Sequence, residues 1–93
     1  MEIIIRDYTG SFAENKDVAK ELREGKIIPA NDSGEIITLN FTGIDSSTQS
    51  FIHALISEIF QINGEKCLDM FIFKNCNKAV KSLIGTVINY SLE

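Results

Sequence analysis

A small α/β domain with a mostly parallel sheet is predicted by three features of this sequence. Short β-branched runs alternate with segments whose apolar residues recur at helical spacing. Clusters of turn formers separate them. The run from Leu68 to Phe73 is nearly continuous in apolar residues, as in a central strand covered on both faces. The order reads β-α-β-α-β-α, and parallel neighbours need crossover helices between them. At 93 residues the chain forms one domain, residues 1–93, near the lower size limit for an independent core.

Ile3-Ile4-Ile5 is the first strand. Ser11-Phe12-Ala13-Glu14 has capping-box spacing and predicts a helix start, with Glu14 reaching back to the cap. That helix is expected to stop at Gly25. Its apolar residues Phe12, Val18, Ala19 and Leu22 make only a narrow stripe, which predicts a surface position. Lys26 to Glu35, with Pro29, Asn31, Asp32, Ser33 and Gly34, reads as a connection. A fourth strand has two candidate places, Lys26–Ile28 and the neighbourhood of Tyr8. Ile36 to Phe41 is the second strand. A helix then begins among Ser46 to Ser50 and closes at Asn63-Gly64. Phe51, Ile52, Leu55, Ile56, Ile59 and Phe60 form a wide stripe that marks it as the best-buried helix. After the strand at Leu68–Phe73, Asn75 or Asn77 caps a last helix with the stripe Ala79, Val80, Leu83, Ile84, Val87 and Ile88. Gly85 inside that helix either costs about 1 kcal/mol relative to Ala or admits a close backbone approach.

Composition narrows the function classes. A net charge of −4 argues against nonspecific contact with nucleic acid, which needs clustered Lys and Arg. No apolar run reaches the roughly 18 residues of a membrane span, and Met1-Glu2-Ile3 does not open a signal peptide. The two cysteines, Cys67 and Cys76, would lie roughly 30 Å apart along an extended segment, too far for a disulfide. With one His and no CxxC they form no metal pattern, so no metal and no cofactor is expected. Free thiols fit a cytoplasmic protein.

The most informative stretch joins the second strand to the second helix: Leu39-Asn40-Phe41-Thr42-Gly43-Ile44, then Asp45-Ser46-Ser47-Thr48-Gln49-Ser50-Phe51-Ile52. No Lys or Arg occurs between Ile36 and Glu65, so this junction carries no positive charge of its own. Its hydroxyls are first of all helix caps, the role such residues favour. His53 lies off the apolar stripe, on the side shared with Ser50, Ser57 and Gln61. Ser50 and His53 suggest a nucleophile and base, but no third orienting group and no G-x-S-x-G elbow accompany them, and no catalytic residue is assigned. Gly-rich phosphate loops are absent as well. Lys66, Lys74, Lys78 and Lys81 give the last third a positive bias that reads as a solvated face.

The element order, the Leu39–Ile44 segment and the Gln49-Ser50-Phe51-Ile52 helix start together resemble the STAS-like family, small bacterial domains related to anti-sigma-factor antagonists and sulphate-transporter domains. The resemblance implies a non-catalytic regulatory module. In the antagonist branch a Ser at this helix start is phosphorylated by a histidine-kinase-like ATPase, and the unphosphorylated domain docks on its partner; Ser50 matches that acceptor. Three places depart from the pattern. Asn40 stands for the usual Asp, Thr48 for an Asp before the Ser pair, and His53-Ala54 for an acidic pair. They bear on kinase recognition and not on the fold. The partner-binding surface is expected at Thr42, Asp45, Ser46, Ser47, Thr48, Gln49, Ser50 and His53, with a kinase-like ATPase or other signalling protein as partner. The alternative is a stoichiometric inhibitor, such as an immunity protein, antitoxin or phage-encoded protein, that sets an acidic scaffold against a basic site. A homodimer contact through Ile84, Val87, Ile88, Tyr90 and Leu92 is left open.

Overall fold

The computed structural model describes residues 1–93 and carries the expected α/β architecture, with three strands in a small parallel sheet and one of its faces more exposed than the sequence implies. Three parallel strands, β1 (Glu2–Ile4), β3 (Ile37–Asn40) and β5 (Phe71–Lys74), lie in the order β1-β3-β5. Ile3 pairs with Leu39 and Leu39 with Phe73, and this row points into the core; Glu2, Thr38 and Ile72 form the adjacent row on the other face. Each crossover steps to the next strand in the same direction. Crossovers of one hand wound this way stack their helices on one face only. The other face is open: Ile4 is 43% and Ile72 49% exposed, whereas Ile3 and Leu39 are buried.

The central strand is therefore β3, and the expectation for Leu68–Phe73 is corrected. Cys67–Met70 is a helical turn, α6, and only Phe71–Lys74 pairs, as an edge strand. A continuous apolar run suggested two covered faces, but Leu68 and Ile72 are exposed. Neither place for a fourth sheet strand holds: Tyr8 lies in α1 (Arg6–Thr9), and Lys26–Ile28 is helical.

A second correction concerns residues 11–35. Phe12–Ala13 is a short strand, β2, paired in parallel with β4 (Ser46–Ser47), so Ser11 is no helix cap. The helix starts later. Asn15 caps it by accepting from the backbone of Asp17 at 2.9 Å and Val18 at 3.3 Å. It runs as α2 (Lys16–Leu22), passes through a π-helical segment (Arg23–Ile27) and continues as α3 (Ile28–Asp32). Gly25 does not stop it. The wider π turn shifts the hydrogen-bond register just before Pro29, which enters at the start of the next turn, where a missing N–H is tolerated. Gly34, with φ +75°, ends the rod. Ala19, Leu22, Ile27 and Ala30 are buried, so this helix is part of the core and not a surface element.

The second rod is as the stripe predicts. Thr48 caps α4 (Gln49–Ile52), a π segment (His53–Ser57) follows, and α5 (Glu58–Asn63) ends at Gly64 with φ +66°. All six apolar stripe residues are buried. Arg23 ties the two rods together where both are π-helical, donating to the Ala54 carbonyl at 2.9 Å with Glu58 3.4 Å from its Nε. The last helix, α7 (Lys78–Ser91), is capped by Asn77, which accepts from Val80 N–H at 2.8 Å. Ser91 donates to the Val87 carbonyl, so the buried Ser57 hydroxyl is left to donate to Ser91 Oγ at 2.8 Å, joining the rods.

Gly85 meets no atom within 4 Å of where a Cβ would stand, so the close-approach explanation falls away. Gly85→Ala is expected to stabilise the fold by about 1 kcal/mol. A thermal melt should move up by roughly 4–8 °C; an unchanged or lower midpoint would contradict the open surroundings.

Candidate functional site

The junction is built by backbone geometry before any side chain acts. The Phe41 N–H donates to the Lys74 carbonyl as the sheet ends. The chain then reverses through Gly43, whose φ of +74° favours glycine, and Ile44 turns back into the core. Three anchors fix the loop beyond. The Asp45 N–H donates to the Ser11 carbonyl, Asn77 Nδ2 donates to the carbonyls of Ile44 at 3.2 Å and Asp45 at 2.9 Å, and Ser47 Oγ donates to the Ala13 carbonyl at 2.9 Å. Thr48 Oγ1 accepts from Phe51 N–H at 3.1 Å and starts the helix.

Behind this loop lies an open groove of about 510 Å³. Gln49, Ser50, His53 and Ala54 form one wall; Lys16 from the start of α2 and Tyr90 from the end of α7 complete it. The His53 ring stacks on Tyr90, with centroids 5.9 Å apart and planes 19° from parallel. Gln49, Ser50 and His53 are all exposed, as is Lys16.

The structure thus divides the sequence-predicted site residues. Gln49, Ser50 and His53 come together in the groove. Ser47 and Thr48 hold backbone, Ser46 lies exposed in β4, and the Asp45 carboxylate is exposed beside them. Ser57, expected beside His53, is instead buried against Ser91. Thr42 belongs to a separate network at the end of the sheet. Its N–H donates to Asn40 Oδ1 at 3.0 Å, Asn75 Nδ2 donates to Thr42 Oγ1 at 2.8 Å, and Asn40 Nδ2 donates to Glu2 Oε2 at 2.8 Å. Asn75 holds φ +59°, a left-handed conformation that Asn tolerates better than most residues.

Sequence reasoning missed Lys16 and Tyr90, because they lie 33 residues before and 41 residues after Gln49 and nothing in their local pattern points to the start of α4. The absence of Lys and Arg from the junction itself was legible, but the fold supplies a cation from elsewhere.

The thiols lie outside this groove. Cys67 is buried in α6; Cys76 is half-buried, in a hollow it shares with Phe73, Lys81 and Ile84. Burial pushes both up from the ordinary thiol range; a hydrogen bond with Asn63 partly offsets this at Cys67, and the Lys81 charge does so at Cys76. Folding therefore holds these protons more tightly than the unfolded chain does. The stabilisation is complete below the unfolded thiol pKa of about 8.5 and is lost as pH rises through the folded values. Urea midpoints should stay level across this lower range and fall above it, and Cys67→Ala with Cys76→Ala should flatten that fall.

Compared with known proteins, residues 18–81 match the sequence model of a family described as a STAS-like domain of unknown function (DUF4325). The match runs from α2 into α7 and contains the whole junction; Lys16 and Tyr90 lie outside it. Neither a curated protein nor a solved structure matches the chain.

Proposed function

The chain belongs to the STAS-like family (DUF4325), and on that premise we propose that it is a regulatory module that binds a protein partner through the groove face of the junction and performs no catalysis. One observation carries this reading. Ser47 and Thr48 are engaged in hydrogen bonds that shape the loop, while Ser50 stands exposed in an open groove beside Gln49 and His53. His53 turns its ring to Tyr90, an arrangement suited to presenting a flat surface to a partner. The proposed partner is a kinase-like ATPase or another signalling protein, and Ser50 is the proposed phosphoacceptor. A phosphate there would add charge and three acceptor oxygens to a face that must shed water on docking, so it would act as an off-switch.

The test compares wild type, Ser50→Ala and Ser50→Asp as affinity baits in the native host, with bound proteins identified by mass spectrometry. A partner kept by Ser50→Ala and lost by Ser50→Asp is the expected result. A partner indifferent to both changes would move the binding surface away from the groove. An esterase and phosphatase screen is expected to show no turnover; activity abolished by Ser50→Ala would overturn the binding-only reading.

A further inference from the structure

We infer that the groove receives an acidic segment of the partner protein, one carboxylate at Lys16 and an adjacent aromatic or apolar residue on the His53–Tyr90 stack. This rests on the docking reading above and adds the chemistry of what docks.

The argument is charge complementarity on a small scale. The chain as a whole is acidic, with 13 Asp and Glu against 9 Lys and Arg. Three of the other surface hollows share that character: the one beside Tyr8 is lined by Glu21, the one beside Met70 by Asp69, and the one beside Ile62 by Asp32 and Glu58. The hollow around Cys76 has a lysine, Lys81, and no carboxylate, but it lacks the hydroxyls and the stacked rings of the Lys16 groove. The Lys16 groove is lined by no carboxylate. Of its six lining residues, Lys16, Gln49, Ser50, His53 and Tyr90 carry side-chain groups that can donate hydrogen bonds. An anion entering there meets donors and no opposing charge.

Size separates a peptide from a simple anion. A volume of about 510 Å³ far exceeds one carboxylate or phosphate and suits several residues of chain. Gln49 can both donate to and accept from a peptide unit, which a bare anion does not need. Ala54 and the faces of the stacked rings give a small less polar surface for a neighbouring side chain. No Arg is present to grip a phosphate bidentately. Long-range repulsion from the net charge selects against acidic chains in general, so binding must depend on the local contact at Lys16.

The probe is the peptide Asp-Glu-Phe-Glu-amide with a neutral fluorescent label in place of an acetyl cap at its N-terminus, titrated by anisotropy at fixed ionic strength. Its Asn/Gln counterpart and inorganic phosphate serve as competitors. Binding should shift the amide resonances of Gln49, Ser50, His53 and Tyr90. Lys16→Glu should weaken binding at least tenfold. Lys16 is exposed and is the first helical residue after the Asn15 cap, where an acidic side chain favours the helix, so the variant will fold. Lys81→Glu makes the same change in net charge in the hollow around Cys76 and should alter affinity less than twofold. Equal losses from both variants, equal binding of the Asn/Gln peptide, competition by phosphate at matching concentration, or no peptide binding would each overturn the proposal. Repeating the partner capture with Lys16→Glu separates the two readings. Capture that survives Lys16→Glu but not Ser50→Asp sinks the acidic segment and leaves the docking groove standing; capture that survives both sinks the groove itself.

Discussion

Asn40→Asp is expected to destabilise the protein by about 2–3 kcal/mol at neutral pH, through one atom. Asn40 is 9% exposed and uses both ends of its amide: Oδ1 accepts from Thr42 N–H and from Asn75 Nδ2, while Nδ2 donates to Glu2 Oε2 at 2.8 Å. A carboxylate keeps the acceptor role and loses the donor. It also sets two negative oxygens at hydrogen-bond distance, which removes a charge-assisted bond worth about 1.5–3 kcal/mol and adds repulsion. Lys74, 3.9 Å from Glu2, and the partial exposure of Glu2 moderate that repulsion. The sign with pH follows. The introduced carboxyl holds its proton more tightly folded than unfolded, so the penalty vanishes below the unfolded Asp pKa of about 3.9 and grows as pH rises through the folded value. Urea melts from pH 4 to 7 should show the wild type and variant diverging. Glu2→Gln in the variant background should recover much of the loss. A pH-independent difference would mean that the Glu2 contact is not what selects Asn. Asn40 departs from the acidic position of the family pattern it resembles, and Glu2, on the strand paired with β3, supplies a physical reason for it.

That reason could not be read along the chain, since Glu2 and Asn40 meet only through the parallel register of β1 on β3. What was legible depended on how local the signal was. The stripe from Phe51 to Phe60 fixes a helix by its own period, and a Gly at a positive φ ends it where the sequence places the end. The full length of the helix from Lys16 to Asp32 is hidden in the sequence because Gly25 and Pro29 are ordinarily stop signals. A π turn absorbs both, and no periodicity announces a change of hydrogen-bond register. The site followed the same rule. Gln49, Ser50 and His53 share one helical face by spacing alone, whereas Lys16 and Tyr90 reach the groove only because α2 and α7 pack beside α4.

The sheet gives the sharpest contrast between neighbours. Ile3, Ile4 and Ile5 are indistinguishable by type and all suit a strand, yet Ile3 is 3% exposed and Ile4 43%. Ile3→Ala should destabilise by about 2–5 kcal/mol, as for other buried aliphatic truncations. Ile4→Ala should change stability by no more than about 0.5 kcal/mol, as at exposed sites. Phe71 and Ile72 repeat the pattern on the opposite edge strand, with Phe71→Ala expected to cost about 3–5 kcal/mol and Ile72→Ala little. Denaturant midpoints of the four variants decide it. Parallel sheets normally have both faces covered, because their crossovers supply helices to each. Here the one-directional winding β1-β3-β5 sends every helix to the same side. Should Ile4→Ala and Ile72→Ala prove as damaging as their neighbours, the second face must be buried in solution, and the loss should then depend on protein concentration as a self-association would. Should they prove neutral, the unlayered sheet is stable on one face alone, and its core rests on Ile3, Ile5, Ile37, Leu39, Phe41 and Phe71 packed under the three helical rods.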